Sequence, residues 1–233
     1  MGEGALDLKD KSAGRSAATR ESIRAAAMLH FSRHGYHGAS ARDIAKEAGV
    51  PLSGLHYHFG SKQELFASTF THHFEVLSQE RLRLLERVCS STSASTTVEA
   101  IVTAFIEPLF DLARLPEGVA YLHMQARLLD EQELTARLFN EHVLRATLPF
   151  LEALERALPS AKRNDLYRGY RNMVWAVSFA LIDPLYEMLA KEPALPASAP
   201  ACARLAQQLV RYHAAGLKAI AKPVGKRSSA SSR

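Results

Sequence analysis

Apolar positions along this chain recur at helical spacing from one end to the other. Ile23, Ala27 and Phe31 fall four residues apart and mark one face of a helix predicted over 17–34, which Gly35 can end. The stretch 40–62 then predicts two short helices and the start of a third. Ser40, with Asp43 three residues on, forms a capping pattern, and Ile44, Ala45 and Ala48 supply an apolar face. Gly49 suits the left-handed residue that closes a helix, because it has no Cβ to clash. Val50 is expected as the buried pin of the turn. Pro51 can open the next helix, where its missing N–H is no loss. Leu55 and Phe59 point that helix inward, Gly60 closes it, and Ser61 with Glu64 forms a full capping box.

Beyond it, Leu65, Phe66, Phe70, Phe74, Leu77, Leu84 and Leu85 predict one long helix over 62–89, the mechanical link between a small head and whatever follows. A Ser/Thr tract over 90–97 reads as a linker. Further helical patterns cover 98–115 with a kink at Pro108, 119–129 after the Pro116-Glu117-Gly118 break, and 132–158 interrupted near Pro149. The most apolar stretch spans 165–189, and 202–220 forms a last helix after a proline-rich loop. No strand pattern or internal repeat emerges. The fold class is all-α: a flexible arm (1–15), a three-helix helix-turn-helix head (16–70), a larger helical body (71–221) and a basic disordered tail (222–233).

Composition narrows the reading. The 233 residues are 47% hydrophobic, enough for a substantial core. No apolar run is long enough to span a bilayer, and the N-terminus lacks the apolar segment of a secretory signal. Cys89 and Cys202 are too few for a disulfide scaffold or a zinc site. A cytoplasmic protein is expected. The net charge of +5 hints at nucleic acid, but residues 1–70 contribute only +2, with nine Lys/Arg against seven Asp/Glu. The last twelve residues contribute +4, so charge alone decides little.

The motif says more, because a helix-turn-helix of this size reads DNA. Ile44-Ala45, Ala48-Gly49-Val50, Leu55, His58-Phe59, Ser61-Lys62 and Leu65-Phe66 resemble the DNA-binding domain of the TetR/AcrR repressor family over residues 16–70. The sequence departs from that pattern at Pro51, where the family usually has Ser, and at His56, where it usually has Tyr. The resemblance implies that Ser40, Arg42, Leu52, Ser53, Gly54, His56, Tyr57, His58 and Lys62 approach double-stranded operator DNA. The reading helix holds no Arg, Lys, Asn or Gln, the usual bidentate base readers. Direct readout is therefore expected to be sparse and helped by DNA shape. Leu52 suits a thymine methyl, Ser53 and His56 one hydrogen bond each, and Tyr57 and His58 phosphates. Gly54 permits close approach, and Lys62 sits at a helix N-terminus that favours an anion.

The resemblance also implies a homodimer and a small-molecule effector. The expected dimer seam is Val174, Val177, Ser178, Leu181 and Leu185 with Leu209, Val210, His213 and Leu217, as a four-helix bundle. Expected pocket residues are Phe105, Phe110, Tyr121, Met124, Arg127, Leu128, Phe139, His142, Trp175 and Phe179, with Met173 beside them. Glu107, Arg127 and Asp183 stand out as polar residues inside apolar stretches. No catalytic residue, metal site or cofactor is expected: the chain has no nucleophile elbow, P-loop or dinucleotide fingerprint, and its histidine pairs lack acidic or Cys partners. The function expected is a dimeric repressor released from its operator by a small molecule. The alternative is a constitutive regulator or activator without a ligand.

Overall fold

A computed structural model describes residues 3–90, 96–127 and 132–221, with side chains placed from Gly14 onward except at Pro116 and over 132–141. The described residues form ten helices and no strand. The head comprises α1 (Glu3–Gly38), α2 (Ala41–Glu47), α3 (Leu52–Phe59) and the first turns of α4 (Lys62–Ser90). The body adds α5 (Val98–Ala113), α6 (Pro116–Arg127), α7 (Gln132–Ala157), α8 (Arg163–Ala180), α9 (Pro184–Ala190) and α10 (Ala199–Ile220).

Several boundaries differ from the expected ones, each for a local reason. The stretch expected as a flexible arm is helical from Glu3 on. It holds no proline, and extending an existing helix adds one hydrogen bond per residue without a new nucleus. At Gly35 the backbone leaves the helix (φ 68°, ψ −178°) before α1 resumes to Gly38. Pro51 stands just ahead of α3 instead of inside it: its extended backbone lets its carbonyl accept the Gly54 and Leu55 N–H groups. Proline 116 opens α6, so the break is a single turn, and α7 continues through Pro149. Packing of Phe150, Leu151 and Leu154 outweighs the one lost hydrogen bond there. The apolar stretch 165–189 is two helices bent by 55°. Asp183 precedes a proline and is held extended, and its carboxylate caps α9 by accepting the Leu185 N–H at 2.9 Å. The tail 222–233 and most of the Ser/Thr linker lie outside the described residues.

The core is continuous across head and body. Ile23, Ala27 and Phe31 of α1 are buried with Ile44, Leu55 and Phe59, as their spacing predicts. Phe66 joins them through an edge-on contact with Phe31, ring centres 4.9 Å apart. Helix α4 then carries Phe70, Leu77 and Leu85 into the body, where it packs on α5, α6 and α7. Helix α5 is central, buried along most of its length between α4 and α10. Each large aliphatic or aromatic side chain buried here contributes about 1.5–3 kcal/mol. The head rests on the body chiefly through α1 against α6.

Candidate nucleic-acid interface

The turn is built as its residues dictate. Ser40 caps α2, its hydroxyl accepting the Asp43 N–H at 3.4 Å. Gly49 sits at φ 69°, and the Val50 N–H returns to the Ala45 carbonyl at 3.0 Å. Gly60 closes α3 at φ 71°. The Ser61–Glu64 box is complete: the Glu64 N–H donates to Ser61 Oγ at 3.1 Å and the Ser61 N–H to Glu64 Oε2 at 2.7 Å. The Ser61 N–H first, and then the Ser61 hydroxyl donating to Glu64 Oε2 at 2.9 Å, hold the Glu64 carboxyl below its ordinary pKa.

Helix α3 buries Leu55 and Phe59 and turns Ser53, His56 and Tyr57 outward; Tyr57 is 84% exposed. Leu52, Gly54 and His58 lie at the margin, half-buried. Arg42 is exposed on α2. The helix-turn-helix is held from α1 by two contacts that sequence reasoning missed, one to α3 and one to the end of α2. Arg20 donates to the His58 carbonyl at 2.9 Å and lies 4.5 Å over the Phe59 ring, and Ser22 donates to the Ala48 carbonyl at 3.1 Å. Both partners lie far along the chain, so no local pattern announces them.

Two expected DNA residues have internal duties as well. His56 Nδ1 lies 2.6 Å from the Gly60 carbonyl. A carbonyl only accepts, so Nδ1 carries the proton, and a neutral ring presents Nε2 outward as an acceptor. Lys62 Nζ donates to the Ala39 carbonyl at 3.1 Å and sits 4.6 Å over the Tyr36 ring. It thereby ties the start of α4 to the loop before α2.

Sequence comparison agrees with this geometry at both ends of the chain. Residues 23–74 match the model of bacterial regulatory proteins of the tetR family, and residues 103–216 match the tetracyclin repressor-like C-terminal domain. The chain belongs to the TetR family of transcriptional regulators. It is 28% identical over 185 residues to the regulator BetI of Agrobacterium fabrum, a match covering 78% of this chain and 82% of BetI. It is also 28% identical over 108 residues to LmrA of Bacillus subtilis, covering 43% of this chain but only 54% of that regulator's length. Among solved structures, the fatty acid degradation regulator FadR of Bacillus halodurans shares the fold at TM-score 0.56 and 18% identity, over 86% of this chain and 96% of FadR. No single described helix of this TetR-family chain is long and apolar enough to cross a membrane.

The body distributes the residues of the expected pocket and seam over several places. Phe105, Phe110, Tyr121 and Met124 are buried in the general core, as is Met173, and they do not line one open cavity. Trp175 and Phe179 do line an apolar cavity of about 270 Å³ with Leu122, Ala126 and Ile182. Arg127 faces a groove of about 560 Å³ beside α9, and Glu107 with Phe110 a similar groove between α5 and α10. His142 instead lies 3.2 Å from Glu75. Leu128 and the Phe139 side chain fall outside the described residues. In the expected seam, Val177, Ser178, Leu181, His213 and Leu217 are largely buried within the chain itself. Leu185 is exposed but belongs to α9 beyond the bend. Val174, Leu209 and Val210 are half-buried, while Phe179 and Tyr212 stand out on α8 and α10. A four-residue repeat marks a face, but the three-dimensional packing decides which face is inward.

Proposed function

We propose that this TetR-family chain is a dimeric repressor, acting in the cytoplasm and released from its operator by a small molecule. The observation that carries the DNA reading is the outward row Ser53, His56 and Tyr57 on a helix locked from behind by Leu55, Phe59 and Arg20. Set in the major groove, Ser53 and Leu52 meet base edges, and Gly54 adds no side chain between backbone and DNA. The Nε2 acceptor of His56 suits an amino group of cytosine or adenine. Ser40, Arg42, Tyr57, His58 and Lys62 take the flanking phosphates. The outer faces of α8 and α10, with Phe179 and Tyr212, form the dimer seam.

Control by a ligand is supported by how α6 meets the head. Arg127 donates to the Ser32 carbonyl at 2.8 Å and the Arg33 carbonyl at 2.9 Å, just before the Gly35 break. A shift of α6 therefore moves α1, and with it the helix that Arg20 holds. Its extent is bounded by the difference in ligand affinity between the two states. Fluorescence anisotropy with operator and random duplexes tests the DNA assignment. Tyr57→Ala and Arg42→Ala are expected to weaken both duplexes alike, while Ser53→Ala and His56→Ala change the ranking of operator variants by ~1–3 kcal/mol per affected base. Unchanged ranking in both of the latter variants contradicts the placement.

A further inference from the structure

One charge on α4 is carried into the protein interior. Arg81 lies four residues from Leu77 and four from Leu85, on the apolar face of the helix, and is 9% exposed. Its guanidinium sits 3.7 Å over the Phe105 ring, and its Nε donates to the Phe105 carbonyl at 2.8 Å. That bond crosses from α4 to a backbone carbonyl of α5. It accounts for one of five donors. The two Nη groups have no hydrogen-bond acceptor, and no carboxylate pairs with the guanidinium, among the described residues.

The surroundings are apolar and aromatic. Phe105 packs edge-on against Phe150 and Tyr170, at 5.5 and 5.4 Å between ring centres. Tyr121 of α6 and Tyr170 of α8 are buried and feel the Arg81 charge, and Thr147 of α7 is buried as well. Burial lowers the Arg81 pKa to about 10, so the group stays charged at neutral pH. A lone cation in such a setting is costly unless something completes it.

We propose that Arg81 anchors an effector site for an organic monocarboxylate. The carboxylate pairs with the free Nη groups, and its hydrocarbon or aromatic part lies against Phe105, Tyr121 and Tyr170. A guanidinium fork matches a carboxylate in two parallel hydrogen bonds. With no second cation at the site, a monoanion balances the charge and a phosphate dianion does not. Phe105, Tyr121 and Tyr170 are almost fully buried, so seating the hydrocarbon part against them requires α4 to part from α6 or α8, which links occupancy to helix position. The same α4 begins in the head at Lys62, ~28 Å along the helix. This assignment rests on the reading of the chain as a ligand-controlled regulator.

Thermal unfolding and calorimetry of the full chain with octanoate, benzoate and phenylacetate, against their amides, test it. The carboxylates are expected to bind the wild type at least tenfold more tightly than the amides. Arg81→Met is expected to lose that preference while unfolding at the same temperature as wild type or higher, since it removes an unpaired buried charge. Amides binding as well as acids, Arg81→Met binding octanoate like wild type, or no carboxylate binding at all overturns the site. So does Arg81→Met unfolding well below wild type with carboxylate preference intact. Octanoate bound through Arg81 without any change in operator affinity leaves the site standing and overturns ligand-controlled release instead.

Discussion

Lys62 shows how one residue serves both fold and function. Its position at the start of a capped helix was legible from Ser61 and Glu64, and so was its suitability for an anion. Its attachment to Ala39 and the Tyr36 ring was not, because Tyr36 is brought there by the packing of α1 on α4. Lys62→Ala is therefore expected to weaken operator and random DNA alike and also to cost ~1–2 kcal/mol of stability in urea unfolding. Normal DNA binding by Lys62→Ala counts against the phosphate assignment. Two histidines withdrawn from solvent set an acid limit. His73 and His213 both have pKa values below the ordinary 6.5, chiefly because burial disfavours the charged ring. As pH falls through 6.5 the unfolded chain takes up these protons before the folded one, so this share of stability declines until the folded-state values are passed. Thermal unfolding is expected to show a lower midpoint at pH 5.5 than at 7.5, with a smaller difference in a His73→Gln, His213→Gln double variant.

At the scale of elements, capping residues and glycines were the most legible signals, since their effects are local. Ser40, Gly49, Gly60 and the Ser61–Glu64 box all act where the sequence places them. Prolines were less legible, because their cost competes with tertiary packing: Pro108 and Pro149 stay inside helices, while Pro184 begins one. Arg81 carried a signal that could have been read, a charge interrupting the Leu77–Leu85 face of a long helix. Gly118 marks the tightest crossing. A Cβ there would stand 1.8 Å from the Leu112 carbonyl oxygen, a backbone atom that cannot step aside. Gly118→Ala is expected to destabilise the chain by about 3 kcal/mol in denaturant titration, and a change under 1 kcal/mol contradicts the close packing of α6 on the end of α5.

The whole molecule joins a DNA-reading head to a body through two routes, the rigid α4 and the Arg127 contacts of α6. Arg127 was expected among pocket residues because it interrupts an apolar stretch; its contact with carbonyls some ninety residues earlier depends on how α1 crosses α6. Arg127→Ala is expected to cost ~1 kcal/mol of stability and to lower operator affinity without touching DNA, as read by unfolding and anisotropy together. The central claim is that two copies of α3 read one defined site. Selection of bound fragments from genomic DNA with the purified full chain tests this most directly. The expected result is a palindromic site whose half-sites lie ~34–36 Å or a multiple apart, bound at least ~10³-fold more tightly than random duplex. Recovery of fragments sharing no sequence, or of a single unpaired half-site, contradicts it.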